Sequence, residues 1–419
     1  MFKKIICLLV FLSVIAAKAS FLLVPMDEST QQNHLKAYGI TFWCLEKNYK
    51  ASWLLNYRGG SFLLPDAMEI RKECQIRGVS FEIISDAEQV LISNEIASPS
   101  QNMESVVLEK APKIAVYTPK GKQPWDDAVT LVLTYAEIPF TPIYDEEVLS
   151  EQLLLYDWLH LHHEDFTGQY GKFYGAYKNV PWYIEQKKES ESLATKLGYS
   201  KVSHEKGAVA KKIRDFVIGG GFMFAMCSAT DSFDISLAAD GVDICEAMFD
   251  GDPSEGNYQA KMNYGSSFAF KDFTLERRPE QYEFSDIDMT SKRRVPMEKD
   301  YFTLMEFSAK WDPIPSMLCQ NHTQLVKGFM GQTTAFDASL IKSNVLLMGT
   351  CELNGEARYI HGQKGKGMFT FYGGHDPEDF QHQVGDAPTV LDLHANSPGY
   401  RLILNNVLFP AARKKKLKT

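Results

Sequence analysis

Three groups of residues in this 419-residue chain have the types and spacing for chemistry. Cys227 ends the apolar run Phe222-Met223-Phe224-Ala225-Met226 and precedes Ser228-Ala229-Thr230 and an expected helix near Ser232. Such a strand-to-helix turn lifts the side chain at its apex and aims a helix N-terminus at it, which favours a thiolate nucleophile. Gly373-Gly374-His375-Asp376-Pro377-Glu378 follows a second run, Met368–Tyr372, and offers an imidazole with carboxylates close behind it. His162-His163-Glu164-Asp165 ends a third run beginning at Tyr156 and reads as a substrate-binding group. Far apart in sequence, Cys227 and His375 can meet above one sheet, with Asp376 or Glu378 fixing the imidazole tautomer. That is the Cys–His–acid logic of acyl transfer, with the Ser228 N–H as an oxyanion donor.

Each group also has a purely structural reading. Cys227 can be a small buried hydrophobe. Asp376 can cap a helix that has Pro377 at its first position. Adjacent strand residues face opposite sides, so at most one of His162 and His163 joins Glu164 easily. A metal-assisted hydrolase on His162 or His163, Glu164 and His375 is therefore a third reading, and no metal or other cofactor is expected. Gly219-Gly220-Gly221 precedes a strand rather than a helix, and no GxxxxGK[ST] phosphate loop occurs. The 26 Phe, 19 Tyr and 6 Trp include Trp125, Trp158, Tyr170 and Trp182 near the expected cleft. Rings there suit a sugar face, the basis of a non-catalytic carbohydrate- or ligand-binding alternative, although core packing explains most of them equally well.

The elements that must position these residues alternate strand and helix from Lys113 onward, the mark of a parallel sheet, in which ligands bind beyond the strands' C-terminal ends. Strands are expected at Ile114–Tyr117, Phe140–Tyr144, Tyr156–His162, Phe222–Met226 and Met368–Tyr372. Helices are expected at Trp125–Tyr135, Ala208–Val217 and Arg401–Ala411. Residues 167–205 read as an inserted helical excursion and 257–310 as a β-hairpin insertion, within a larger inserted region reaching 345. Residues 20–110 read as a smaller α/β unit with helices near Gln31–Glu46 and Asp66–Arg77 and strands at Trp53–Asn56 and Ser80–Ser85.

Composition narrows the function classes. A 45% hydrophobic, 23% charged chain is neither disordered nor fibrous. Its net charge of −9 argues against nucleic acid as a partner. Residues 1–19 read as a secretory signal, with Lys3 and Lys4 before an apolar run and Ala17-Lys18-Ala19 as the cleavage site. That run is shorter than a membrane span. The expectation is thus an exported protein, periplasmic or extracellular, acting on a small-molecule or glycan substrate, with a basic tail at 413–419. The cysteines after the signal show no CxxC and no zinc-type spacing.

The Gly219–Ala229 elbow and the run Phe371-Tyr372-Gly373-Gly374-His375-Asp376-Pro377-Glu378-Asp379-Phe380 resemble the class I glutamine amidotransferase-like fold. With Tyr400–Asn406, they are similar to its ThuA-like branch. Segments 54–62 and 120–127 resemble exported bacterial proteins labelled asparagine synthetase B. The processed N-terminal cysteine and SGGxDS loop of true asparagine synthetase B do not occur here. The resemblance implies a flavodoxin-like three-layer α/β/α sandwich over 111–412, with Cys227 as nucleophile, His375 as base and a downstream carboxylate as orienting acid. The family's acid follows the pattern His-x-Glu, whereas Glu378 falls one residue later.

Overall fold

The computed structural model describes residues 20–412 apart from Lys122 and Glu352. The expected signal at 1–19 and the basic tail at 413–419 lie outside the described residues. Among those residues, no helix is long and apolar enough to cross a membrane.

The N-terminal unit is a five-stranded antiparallel sheet. Its strands are β1 (Ser20–Val24), β2 (Ala51–Leu55), β3 (Ser61–Pro65), β4 (Glu82–Ser85) and β5 (Glu104–Leu108), in the order β4-β1-β3-β2-β5. Helices α1 (His34–Glu46), α2 (Met68–Arg77) and α3 (Asp86–Ala97) complete it. Ser85 starts α3 through a capping box with Glu88. The strands β1, β3 and β5 carry no alternating pattern strong enough to have been expected.

The second sheet has nine strands. Parallel β6 (Ile114–Tyr117), β7 (Thr141–Ile143), β8 (Trp158–Leu161) and β9 (Phe222–Met226) lie at one side of it. Antiparallel β10 (Tyr301–Leu304), β11 (Leu325–Lys327), β12 (Leu346–Cys351) and β13 (Glu356–Lys364) lie at the other. Strand β14 (Gly367–Tyr372) joins the halves, parallel to β9 and antiparallel to β13, in the overall order β11-β10-β12-β13-β14-β9-β8-β6-β7. The chain is thus of mixed α/β class. The expected hairpin in 257–310 is instead mostly irregular chain with isolated bridges such as Leu275–Ser285, until β10 joins the main sheet.

Period-two alternation divides the buried strands between two cores. Ile114, Val116, Trp158, Phe224 and Met226 face one apolar cluster, which reaches across α1, α4 (Ala128–Tyr135) and the N-terminal sheet. Ala115, Tyr117, Leu159, Leu161, Met223 and Ala225 face the other. Helix α5 (Pro181–Lys196) belongs to the 167–205 excursion. Helices α6 (Val202–Gly219) and α7 (Ala229–Ala238) pack Ile213, Phe216, Phe233 and Leu237 into the second cluster, and α8 (Pro398–Leu408) packs Leu402 and Ile403 into the first. Helix α4 starts at Ala128 rather than at the expected Trp125, because Asp127 caps it. Trp125 and Asp126 therefore remain in the loop above the sheet.

Candidate functional site

The C-terminal ends of β6, β8, β9 and β14 lie side by side. From β6 the chain goes to β7 on one side and returns to β8 on the other, and such a reversal of strand order is where open α/β sheets bind ligands. Asp126 and Asp127 follow β6, His162 and His163 follow β8, Cys227 follows β9, and His375 follows β14.

Asp127 anchors the first part of the site. Its Oδ1 accepts the Val129 N–H at 2.7 Å and the Thr130 N–H at 2.9 Å, which starts α4. The same carboxylate lies 3.3 Å from His160 Nε2 and 3.2 Å from His162 Nδ1. Burial works to raise its pKa, but the charges and hydrogen bonds of these histidines outweigh burial and hold the carboxyl well below its usual range. His160 and His162, two residues apart along β8 and its end, share a face. The strand stops at Leu161, so alternation no longer separates His162 from His163, and their ring centroids are 5.0 Å apart. Of the two, His163 is the one beside Glu164, at 3.9 Å, while both histidines lie near His375.

His375 is the centre of the group. Its ring lies 4.5 Å from that of His162 and 6.1 Å from that of His163, and stacks on His382 at 4.4 Å. Asp126 Oδ1 lies 3.0 Å from His382 Nε2 and 3.7 Å from His375 Nε2, while Asp379 holds His382 Nδ1 at 2.9 Å. The donor atoms of His162, His163 and His375 lie within 4.8 Å of one another, as do those of Asp126, His375 and His382. Both oxygens of Asp126, both ring nitrogens of His162 and His163, and Nε2 of His375 and His382 are buried without a partner in hydrogen-bonding geometry. Burial, then the neighbouring His162, pushes His375 down to about 4, and burial pushes His163 well below its usual value. Both are therefore neutral near pH 7, the form whose lone pair can bind a cation.

Cys227 sits at the expected elbow, with φ at +52°, a left-handed conformation rarely adopted by a side chain other than glycine. The N–H groups of Ser228 and Gln332 are turned toward its sulfur, yet burial pushes the thiol up to about 12. Cys227 joins neither donor triad. The Ser228 hydroxyl is buried without a partner.

The expected acids are engaged elsewhere. Asp376 accepts the Tyr400 hydroxyl at 2.8 Å and the Glu378 N–H at 2.8 Å, and Glu378 pairs with His394 at 3.0 Å. Asp126, not these two, is the carboxylate beside His375. Glu164 is buried and pushed up to about 8 by burial, against the pull of Lys206, with its Oε1 3.9 Å from His163 Nε2.

Sequence reasoning missed Asp126, Asp127, His160 and His382. Asp127 carried a readable signal, a capping residue just before an apolar helical run. His160 carried another, its period-two spacing to His162. Nothing local marks His382.

A cleft of about 510 Å³ opens beside this rim, lined by Lys120, Pro124, Tyr144, Glu146, Glu147 and Trp182. It shares the loop after β6 with the site but none of the imidazoles. The segment after β14 is tied over the rim, with the Gly385 N–H donating to Pro124 O at 2.9 Å and the Met330 N–H to Phe380 O at 2.7 Å.

No family model matches the chain, and no curated protein matches it by sequence. Among solved structures, the Cytoplasmic Protein STM3548 from Salmonella typhimurium is similar at 12% identity and a TM-score of 0.35, over 72% of this chain and 100% of that one. The Cytoplasmic Protein STM1381 from Salmonella typhimurium LT2 is similar at 11% identity and a TM-score of 0.31, over 65% of this chain and 91% of that one.

Proposed function

We propose that the chain is a metal-dependent hydrolase whose centre is built on His162, His163 and His375. One observation carries this reading: three imidazoles with buried, unpartnered nitrogens have their donor atoms within 4.8 Å of one another. A buried polar group left without a partner costs roughly 1–3 kcal/mol, so this many in one place mark a position that a ligand atom completes. Three imidazoles with a further coordination position open suit zinc or a related borderline divalent ion. Such an ion supplies Lewis acidity toward a carbonyl or phosphoryl oxygen or toward water. Asp127 lies 3.2 Å from Nδ1 of His162, on the side away from Nε2, and so favours Nε2 as the ligand atom. Protein produced without a polyhistidine tag should carry a stoichiometric transition metal, lost in His162→Ala and His375→Ala; protein that neither carries nor takes up such an ion refutes the reading.

The five parallel strands with helices on both faces support the likeness to the class I glutamine amidotransferase-like sandwich, here with four extra antiparallel strands. That likeness favours a second reading, Cys227 as nucleophile of an amidase. The left-handed backbone at Cys227 and the two N–H groups turned to its sulfur support it. Against it stand the raised thiol and the pairing of His375 with the histidine cluster and Asp126. Peptide-resolved alkylation by iodoacetamide separates the two. Under the metal reading, Cys227 in the native protein reacts at least 10-fold more slowly at pH 7 than in urea. Faster native reaction, with activity lost in Cys227→Ser, favours the thiol.

A further inference from the structure

We propose that this centre takes two divalent cations, the second held at its Asp126–His382 end. The inference rests on the metal reading above and extends it to five donor residues.

Those residues do not gather around one point. They form two triads that overlap at His375: His162–His163–His375 and Asp126–His375–His382. A zinc-like ion takes about four ligands at roughly 2.0–2.2 Å, so the ligand atoms of one ion lie within about 4.4 Å of each other. His162 and His382 lie against the ring of His375 at centroid distances of 4.5 and 4.4 Å. This elongated set is on the scale of two ions about 3.5–4 Å apart.

The second end has its own ligand equipment. Both Asp126 oxygens are buried and neither makes a hydrogen bond, although Oδ1 faces His382 Nε2 at 3.0 Å, so that carboxylate has an oxygen for each ion or two for one. The His382 Nε2 is likewise buried and faces only that carboxylate, without hydrogen-bonding geometry. Its Nδ1 is hydrogen-bonded to Asp379 at 2.9 Å, which fixes the ring, and at the opposite end Asp127 lies 3.2 Å from His162 Nδ1. A carboxylate–histidine pair that orients a ligand thus occurs twice, once for each position. His382 is not a loose surface side chain: it is 5% exposed, and the Gly385–Pro124 and Met330–Phe380 hydrogen bonds tie down its segment. The mixed carboxylate and imidazole set suits zinc, manganese or cobalt. Paired ions at such a rim serve displacement at an acyl or phosphoryl centre by holding the attacking and leaving oxygens.

The test is a titration of chelator-stripped full-length protein with Co(II), read as bound metal per chain. Two equivalents are expected in the wild type, and one in His382→Ala or in the near-isosteric Asp126→Asn. Asp379 is a positioning residue, so Asp379→Asn should weaken one equivalent 10–100-fold and leave the other unchanged. A wild-type value of one equivalent overturns the second position while the first stands. Binding of no metal overturns both. Because the wild-type stoichiometry alone decides between these outcomes, misfolding of a variant does not shield the proposal.

Discussion

Asp127 Oδ1 lies 3.2 Å from His162 Nδ1 and also accepts the Val129 N–H at 2.7 Å, so one carboxylate oxygen both starts helix α4 and fixes an imidazole at the sheet's rim. The residue that ends a loop in the fold therefore also places a negative charge beside a candidate ligand.

The two roles of Asp127 separate by substitution. Asparagine caps a helix about as well as aspartate but brings no charge to His162. Asp127→Asn should leave the urea midpoint of metal-free protein nearly unchanged while weakening metal binding 10–100-fold in competition with a chromophoric chelator. Asp127→Ala should add a loss of about 1 kcal/mol in stability. Wild-type metal affinity in the asparagine variant would deny Asp127 any part in orienting His162.

Close approach of backbone to backbone also holds His375 in place. A Cβ on Gly331 would lie 2.7 Å from the His375 nitrogen and 2.9 Å from its Cβ. Gly331→Ala should displace His375 and lower metal affinity at least 10-fold in a chain that still folds. Gly207 in α6 has no atom within 4 Å of such a Cβ. Gly207→Ala should bind metal normally and gain up to about 1 kcal/mol from helix propensity. Equal metal affinity in both variants would sink the packing argument.

Acid should loosen the contact between the N-terminal unit and α8. His34 stacks on His322 at 4.6 Å beside Arg401, and burial followed by the Arg401 charge pushes them down to about 3 and about 4. Both are neutral when folded and take up a proton more readily when unfolded. Stability from this site is therefore complete above the unfolded value of about 6.5 and is lost as pH falls from there toward about 4. From pH 7 to pH 5 the loss approaches about 2 kcal/mol per histidine as an upper bound. Urea melts of metal-free protein should show it, and the His34→Gln, His322→Gln double variant should flatten the slope. An unchanged slope would place the pH dependence elsewhere.

The parallel half of the main sheet was legible because Ile114–Tyr117 and Phe222–Met226 are apolar runs buried on both faces, and the Cys227 elbow followed from the strand it ends. Strands β10–β13 were not, because their antiparallel pairing depends on partners far along the chain, and no local period marks Tyr301–Leu304 or Leu325–Lys327. At the site, His162, His163, Glu164 and His375 were visible as chemistry at strand ends. That both His162 and His163 reach His375 was not legible, because alternation holds only within the strand and β8 ends at Leu161. Asp126 was hidden by a helix start placed three residues early. His382 acquires meaning only once its segment folds back over β6, a relationship of distance in space that composition and spacing do not encode.

The most direct measurement is the metal content of tag-free protein after dialysis against metal-free buffer, quantified per chain by elemental mass spectrometry, with a parallel sample offered Zn(II) and Co(II). The geometry of His162, His163 and His375 predicts at least one tightly held transition-metal ion per chain, and its loss in the His162→Ala, His375→Ala double variant. Wild-type protein that is folded, carries no such ion and binds none on addition would contradict a metal centre at this rim.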